Sequence, residues 1–219
     1  MAGTPFTAGA ARSWALALAL VLLALVPASV AAGSTSCAGA TASVSTDSTS
    51  RDVVRLRSAI RCLFAKERSK RNLHALQDRR ALRVAAESHS RDMVRRNYFD
   101  HVSPSGSRVE TRARRAGYLR RVRRWDLGEA LGWGTLEQGS PESLITRMLE
   151  SPKHRALLLD RSFRDVGIGV ALGAPVEEGG EPGVTLTLAF GHVVRQRVAS
   201  RHAGRGKTGR RKARRGRRR

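Results

Sequence analysis

Aromatic side chains make up only 5% of the 219 residues, cysteine occurs twice, and 18 acidic residues face 41 Lys and Arg. The aromatic shortage does not imply disorder, because a hydrophobic share of 41% is enough for a globular core. Two cysteines without a matching histidine cluster make a weak zinc motif. No internal repeat is present, and the length allows one domain with extra terminal segments but not two. A Gly-x-Ser-x-Gly context is also missing. Ser103, Ser105 and Ser107 lie near His101, but a Ser-Pro-Ser-Gly turn accounts for them without a serine nucleophile.

What is abundant is positive charge, +23 in all and unevenly spread. From Arg195 to Arg219 there are 13 Lys or Arg and no acid. This reads as a disordered arm for an anionic surface, densest at Arg210, Arg211, Lys212, Arg214, Arg215, Arg217, Arg218 and Arg219. Its lack of aromatics argues against base stacking. At the other end, residues 1–32 read as an export signal: Arg12, the apolar run Trp14 to Val26, Pro27, and a small-residue ending at Ala32. An uncleaved anchor is the alternative. Export moves the arm's partners from nucleic acid to anionic wall polymers or lipid head groups. It also favours a disulfide between Cys37 and Cys62, worth about 3 kcal/mol in the chain-entropy model.

Residues 33–50 are rich in Ser, Thr and Ala and read as a lead segment with little structure of its own. The domain is expected over residues 51–194. Val53, Leu56, Ile60, Leu63 and Phe64 set one apolar stripe on a basic helix. Leu82, Ala85, Ala86, His89 and Met93 set a second helix, with Asp78 as its cap and His89 as a hydrogen-bonded core residue. Val109 to Ala116 reads as a short helix ended by Gly117, inside an otherwise loop-like stretch from Asp100 to Gly139. Pro141 to Leu149 is another helix, and a helical turn follows His154. Residues 166–172 and 184–190 read as an antiparallel hairpin. Helices first and strands last make an α+β layered fold.

Six blocks then carry a family resemblance: Asn72-Leu-His-Ala-Leu76, His89-Ser-Arg-Asp-Met93, Tyr98-Phe-Asp-His-Val-Ser-Pro104, Gly128-Glu129, Ser151-Pro-Lys-His-Arg155 and Val166-Gly-Ile-Gly-Val170. In this order they resemble the bacterial branch of the CAP superfamily of cysteine-rich secretory, antigen 5 and pathogenesis-related proteins. The resemblance implies a CAP-like α-β-α sandwich with a central antiparallel sheet. It also implies a cleft lined by two histidines and two acids, which in some members holds a divalent metal. The matching positions are His101, Glu129 and His154. The second acid falls at Ser151, and the neighbouring Glu150 points about 100° away on a helix. Met148 stands where tryptophan is usual, and Glu129-Ala-Leu-Gly132 departs from Glu-Asn-Ile-Ala.

Two neutral imidazoles, His101 and His154, can hold zinc with water in the open positions, and the nearby Glu129 carboxylate can orient an imidazole or act as base. Trp125 and Trp133 flank Glu129 as candidate cleft walls for an apolar or sugar ligand, with His89, Glu150 and Ser151 as further cleft-lining candidates, although strand-end packing explains Trp133 and His192 as well. Three functions follow as expectations: an exported envelope-associated domain binding an unidentified ligand or divalent metal, a zinc-dependent hydrolase or peptidase, or a structural envelope protein.

Overall fold

The computed structural model describes residues 36–176 and 180–195. The export-signal segment and the arm beyond Arg195 lie outside these residues. In chain order the elements are α1 (Ser50–Ser69), β1 (Gln77–Asp78), α2 (Arg80–Arg95), α3 (Val109–Arg115) and β2 (Val122–Thr135). A 3-10 turn (Leu136–Gly139), α4 (Pro141–Glu150), α5 (Pro152–Leu158), β3 (Asp165–Leu172) and β4 (Gly183–Arg195) follow. No helix among the described residues is long and apolar enough to cross a membrane.

The strands form one sheet in the order β1-β3-β4-β2. β3 and β4 pair antiparallel from Asp165↔Gly191 to Leu172↔Val184, as the hairpin reading expects. The sheet is not purely antiparallel, because the two residues of β1 pair parallel with β3. Asp78 is a strand residue and not a helix cap. Arg79 precedes α2 in the cap position, and the Asp78 carboxylate accepts from Arg83 at 3.1 Å.

The larger correction is β2, a 14-residue strand within the stretch that reads as loop. Its basic first half lies mostly exposed, and its glycines hide the two-residue alternation by leaving no apolar side chain to mark the inward face. It pairs only with β4 and so forms a sheet edge.

Residue size decides which layer packs on which face. On one face Val166, Ile168, Val170, Leu186, Leu188 and Phe190 join Leu56, Ile60, Phe64, Leu144 and Met148 of α1 and α4 in the main core. On the other, Gly167 and Gly169 let α2 lie directly on the strand. A Cβ there would come within 2.1 Å of the Leu82 carbonyl carbon and 2.2 Å of that of Ala86. Ser90 of α2 donates its hydroxyl proton to the Gly169 carbonyl at 3.1 Å and accepts from the Thr187 hydroxyl at 2.8 Å, which satisfies the polar atoms of this close contact.

The stripe on α1 buries as its spacing predicts, and it continues to Arg68, which is fully buried. Arg68 donates to three carbonyls, those of His74, Leu158 and Asp160, and so ties α1 to the end of α5. α4 starts with Pro141 in its first turn, as expected, and the Ser140 hydroxyl caps it by accepting from the Ser143 amide. α5 starts earlier than expected and carries His154 in its middle.

Ser36–Thr49 contains turns but no helix or strand. It is nevertheless fastened to the domain. Cys37 is disulfide-bonded to Cys62, Val44 is buried in the main core, and the Glu142 amide donates to the Ala40 carbonyl at 2.9 Å.

Candidate functional site

Glu129 lies on the α2 side of β2, where α3 and the loop after α2 converge on it. Its side chain is almost fully buried. Arg112 of α3, itself buried, donates to Oε1 at 2.7 Å and to Oε2 at 2.9 Å. His101 Nδ1 donates to Oε2 at 3.0 Å. Arg112 also donates to the His101 carbonyl at 3.1 Å, so one guanidinium fixes both the carboxylate and the loop that carries the imidazole. The carboxylate holds the His101 pKa above its usual value, with burial opposing. Because Nδ1 is committed to Glu129, Nε2 is the ring nitrogen left for the cleft.

His89 reaches the same cluster from α2. It is buried, donates from Nε2 to the Asp100 carbonyl at 3.0 Å, and sits 3.8 Å from Glu129 Oε2. Burial lowers its pKa, and the nearby Glu129 charge opposes. His89 is therefore the hydrogen-bonded core histidine that its helical position predicts, and it also backs the Glu129 cluster. Tyr98 completes the rear wall, donating to Asp92 at 2.8 Å.

His154 comes from α5, in the layer on the opposite face of the sheet. Burial, and then the charge of His101, lower its pKa. The two histidines thus belong to different layers, yet they are near enough for the His101 charge to act on His154. Beside His154 is a cavity of about 280 Å³, walled by Phe99, Leu131, Trp133 and Met148, with Ser151 and Arg147 at its polar side. Gly132 makes this wall possible, since a Cβ there would meet the Met148 methyl at 2.7 Å.

The remaining sequence candidates divide. Trp133 and Ser151 line the cavity. Glu150 is exposed at the end of α4 and does not line the His154 cavity. Trp125 lies four residues along the strand from Glu129, about 13 Å at strand rise, and the Arg114 guanidinium covers its ring at 5.3 Å. His192 is a half-buried β4 residue opposite Asp126. Ser103 and Ser105 bond to each other at 3.0 Å within their turn.

Arg112 escapes sequence reasoning. It sits among basic neighbours in Arg112-Ala-Arg-Arg115 and looks like another solvated charge. The one usable signal is its place beside the fully buried Ala113 on a seven-residue helix.

The donor set can be compared with what zinc requires. Catalytic zinc takes three protein ligands. Both Glu129 oxygens are engaged by Arg112, and one also by His101, which leaves two imidazoles. Among the described residues no group of three His, Cys, Asp or Glu is placed to hold a metal ion. The residues present do not fit a resident catalytic zinc. Glu129 is likewise not a free base, because its charge is already balanced by a buried arginine.

Comparison with known proteins agrees with this architecture. The family model described as "Cysteine-rich secretory protein family" matches residues 62–187. The uncharacterized protein YkwD of Bacillus subtilis is 31% identical over 103 residues, covering 47% of this chain and 37% of the relative, so the chain spans well under half of that protein. An extracellular protein with an SCP domain from Bacillus anthracis superposes with a TM-score of 0.50 at 24% identity, over 67% of this chain and 44% of that one. An outer surface protein of Borrelia burgdorferi gives 0.49 at 20% identity, over 67% and 96%. With the sandwich, the Gly-x-Gly strand under α2 and the family match all in place, the chain belongs to the CAP family of cysteine-rich secretory proteins.

Proposed function

We propose that this is an exported, cell-envelope-associated CAP domain that binds a ligand, without a resident metal, in the cleft at the free edge of β2. The observation that carries this is the anchoring of His101 through Nδ1 by Glu129 and Arg112, which leaves Nε2 unbonded, together with the reach of the His101 charge to His154, which lines a cavity. The Glu129 carboxylate favours the charged form of the fixed His101 imidazole, and burial favours the neutral form of His154. Phe99, Trp133 and Met148 supply an apolar wall. The pairing suits a ligand with an apolar or sugar ring and an acidic group. The export-like segment and the basic arm support a place near an anionic surface, to which the arm would be drawn.

The zinc-dependent hydrolase reading, with His101 and His154 as ligands, loses its base when Glu129 is occupied by Arg112. Zinc titration of the full chain at pH 7, alongside His101→Ala and His154→Ala, tests the assignment. Weak binding in the parent, lost in each variant, is expected. Tight binding in the parent alone restores the zinc reading, and equal weak binding in all three proteins removes the histidine pair from any ligand role and leaves a structural envelope protein. For the arm, retention on isolated cell walls should fall steeply with salt and vanish on deletion of residues 195–219.

A further inference from the structure

A second cavity, of about 460 Å³, lies behind the Glu129 cluster between α2, α3 and the Ser103–Ser107 turn. It is separate from the His154 cavity: the two share no lining residue. Arg95, Arg96, Arg112 and Arg115 all line it. Arg112 is balanced by Glu129. The other three face a single lining carboxylate, Asp92, which Arg95 meets at 2.6 Å and Arg96 at 3.7 Å. Arg115 has no carboxylate partner among the described residues, so the cavity carries uncompensated positive charge.

The hydroxyl of Ser107 supplies a second, independent observation. Ser107 is 7% exposed, and its Oγ is buried without any hydrogen-bond partner. An unmet buried hydroxyl costs about 1–3 kcal/mol, so such groups call for a partner that the protein itself does not provide. The backbone around it is fully used: the Ser107 amide donates to Ser103 Oγ at 3.0 Å, and the Ser107 carbonyl accepts from Arg112 at 2.5 Å. The turn is therefore held rigidly, with one hydroxyl left over at a basic wall.

We propose that this cavity binds the phosphoryl group of a small phosphate monoester, with Arg115 and the Ser107 hydroxyl as its principal donors. A tetrahedral dianion has enough acceptor oxygens to take a hydroxyl and a guanidinium fork at once, where a carboxylate has only two. The volume exceeds that of a bare phosphate, and Val84, Ala85 and Ala116 give the remaining space an apolar lining for the ester substituent.

The test is an NMR titration of the full chain with inorganic phosphate at constant ionic strength. Saturable shifts at the Ser103, Ser107 and Arg115 amides are expected, with affinity reduced at least fivefold in Ser107→Ala and in Arg115→Gln and unchanged in His101→Ala. Shifts that grow linearly and spread over the basic surface, or equal affinity in parent, Ser107→Ala and Arg115→Gln, overturn the proposal. Loss of affinity in His101→Ala alone also overturns it, because the anion would then sit in the other cleft. Vesicles of phosphatidic acid in phosphatidylcholine separate the two sources of a phosphoryl group. Recruitment weakened by Ser107→Ala assigns a lipid headgroup, and recruitment equal in parent and variant assigns a free solute.

Discussion

His101 Nδ1 lies 3.0 Å from Glu129 Oε2, on a carboxylate whose two oxygens Arg112 already holds. Removing that carboxylate has two separable effects. In Glu129→Gln the His101 pKa should fall, since the group that raises it is gone. Arg112 becomes a buried charge without its counter-ion, which costs about 3 kcal/mol. Histidine titration by NMR reads the first effect and denaturant unfolding the second.

His89 makes the fold acid-sensitive. Its folded pKa is lowered by burial, so the unfolded chain takes up the proton first. Stability should therefore decline as pH falls below the ordinary histidine value of 6.5. His101 works in the opposite sense: its raised pKa contributes stability that is present below 6.5 and is lost as pH rises through the folded value. Between pH 7.5 and 5 the parent should lose more stability, relative to its own value at pH 7.5, than His89→Gln does, as unfolding midpoints will show. A parallel decline in both proteins contradicts this account of His89.

The seat of α2 on β3 predicts a sharp contrast between two glycines. Gly169→Ala places a Cβ 2.2 Å from the Ala86 carbonyl carbon, and neither backbone has room to yield. A loss above about 3 kcal/mol, or failure to fold, is expected. Gly106→Ala meets nothing within 4 Å, and only its φ of +76° opposes the change. That costs about 1 kcal/mol. Denaturant curves of the two variants give the comparison.

Reduction of the Cys37–Cys62 disulfide frees the lead segment from α1. The double variant Cys37→Ser, Cys62→Ser should lose about 3 kcal/mol. Hydrogen exchange should rise first at the Glu142 amide, whose acceptor is the Ala40 carbonyl on that segment.

These features are unequally visible in the sequence. The stripe from Leu56 to Phe64, the Pro141 start of α4 and the apolar runs of β3 and β4 each follow from local periodicity and turn chemistry. β2 does not, because a glycine-rich edge strand that begins in arginines carries little period-two contrast. His101 and His154 are 53 positions apart and come from different layers, so spacing cannot join them; the family resemblance does. Arg112 is invisible because burial, and not residue type, separates it from the surrounding arginines.

Glu129 fixes His101 through Nδ1 and leaves its Nε2 unbonded. Long-range ¹H–¹⁵N spectra of the imidazoles across pH test it directly. The account predicts a neutral His101 protonated on Nδ1 with a pKa above 6.5, a His154 with a pKa below it, and loss of the His101 elevation in Glu129→Gln. A His101 protonated on Nε2, with a pKa at or below 6.5 in the parent protein, contradicts it.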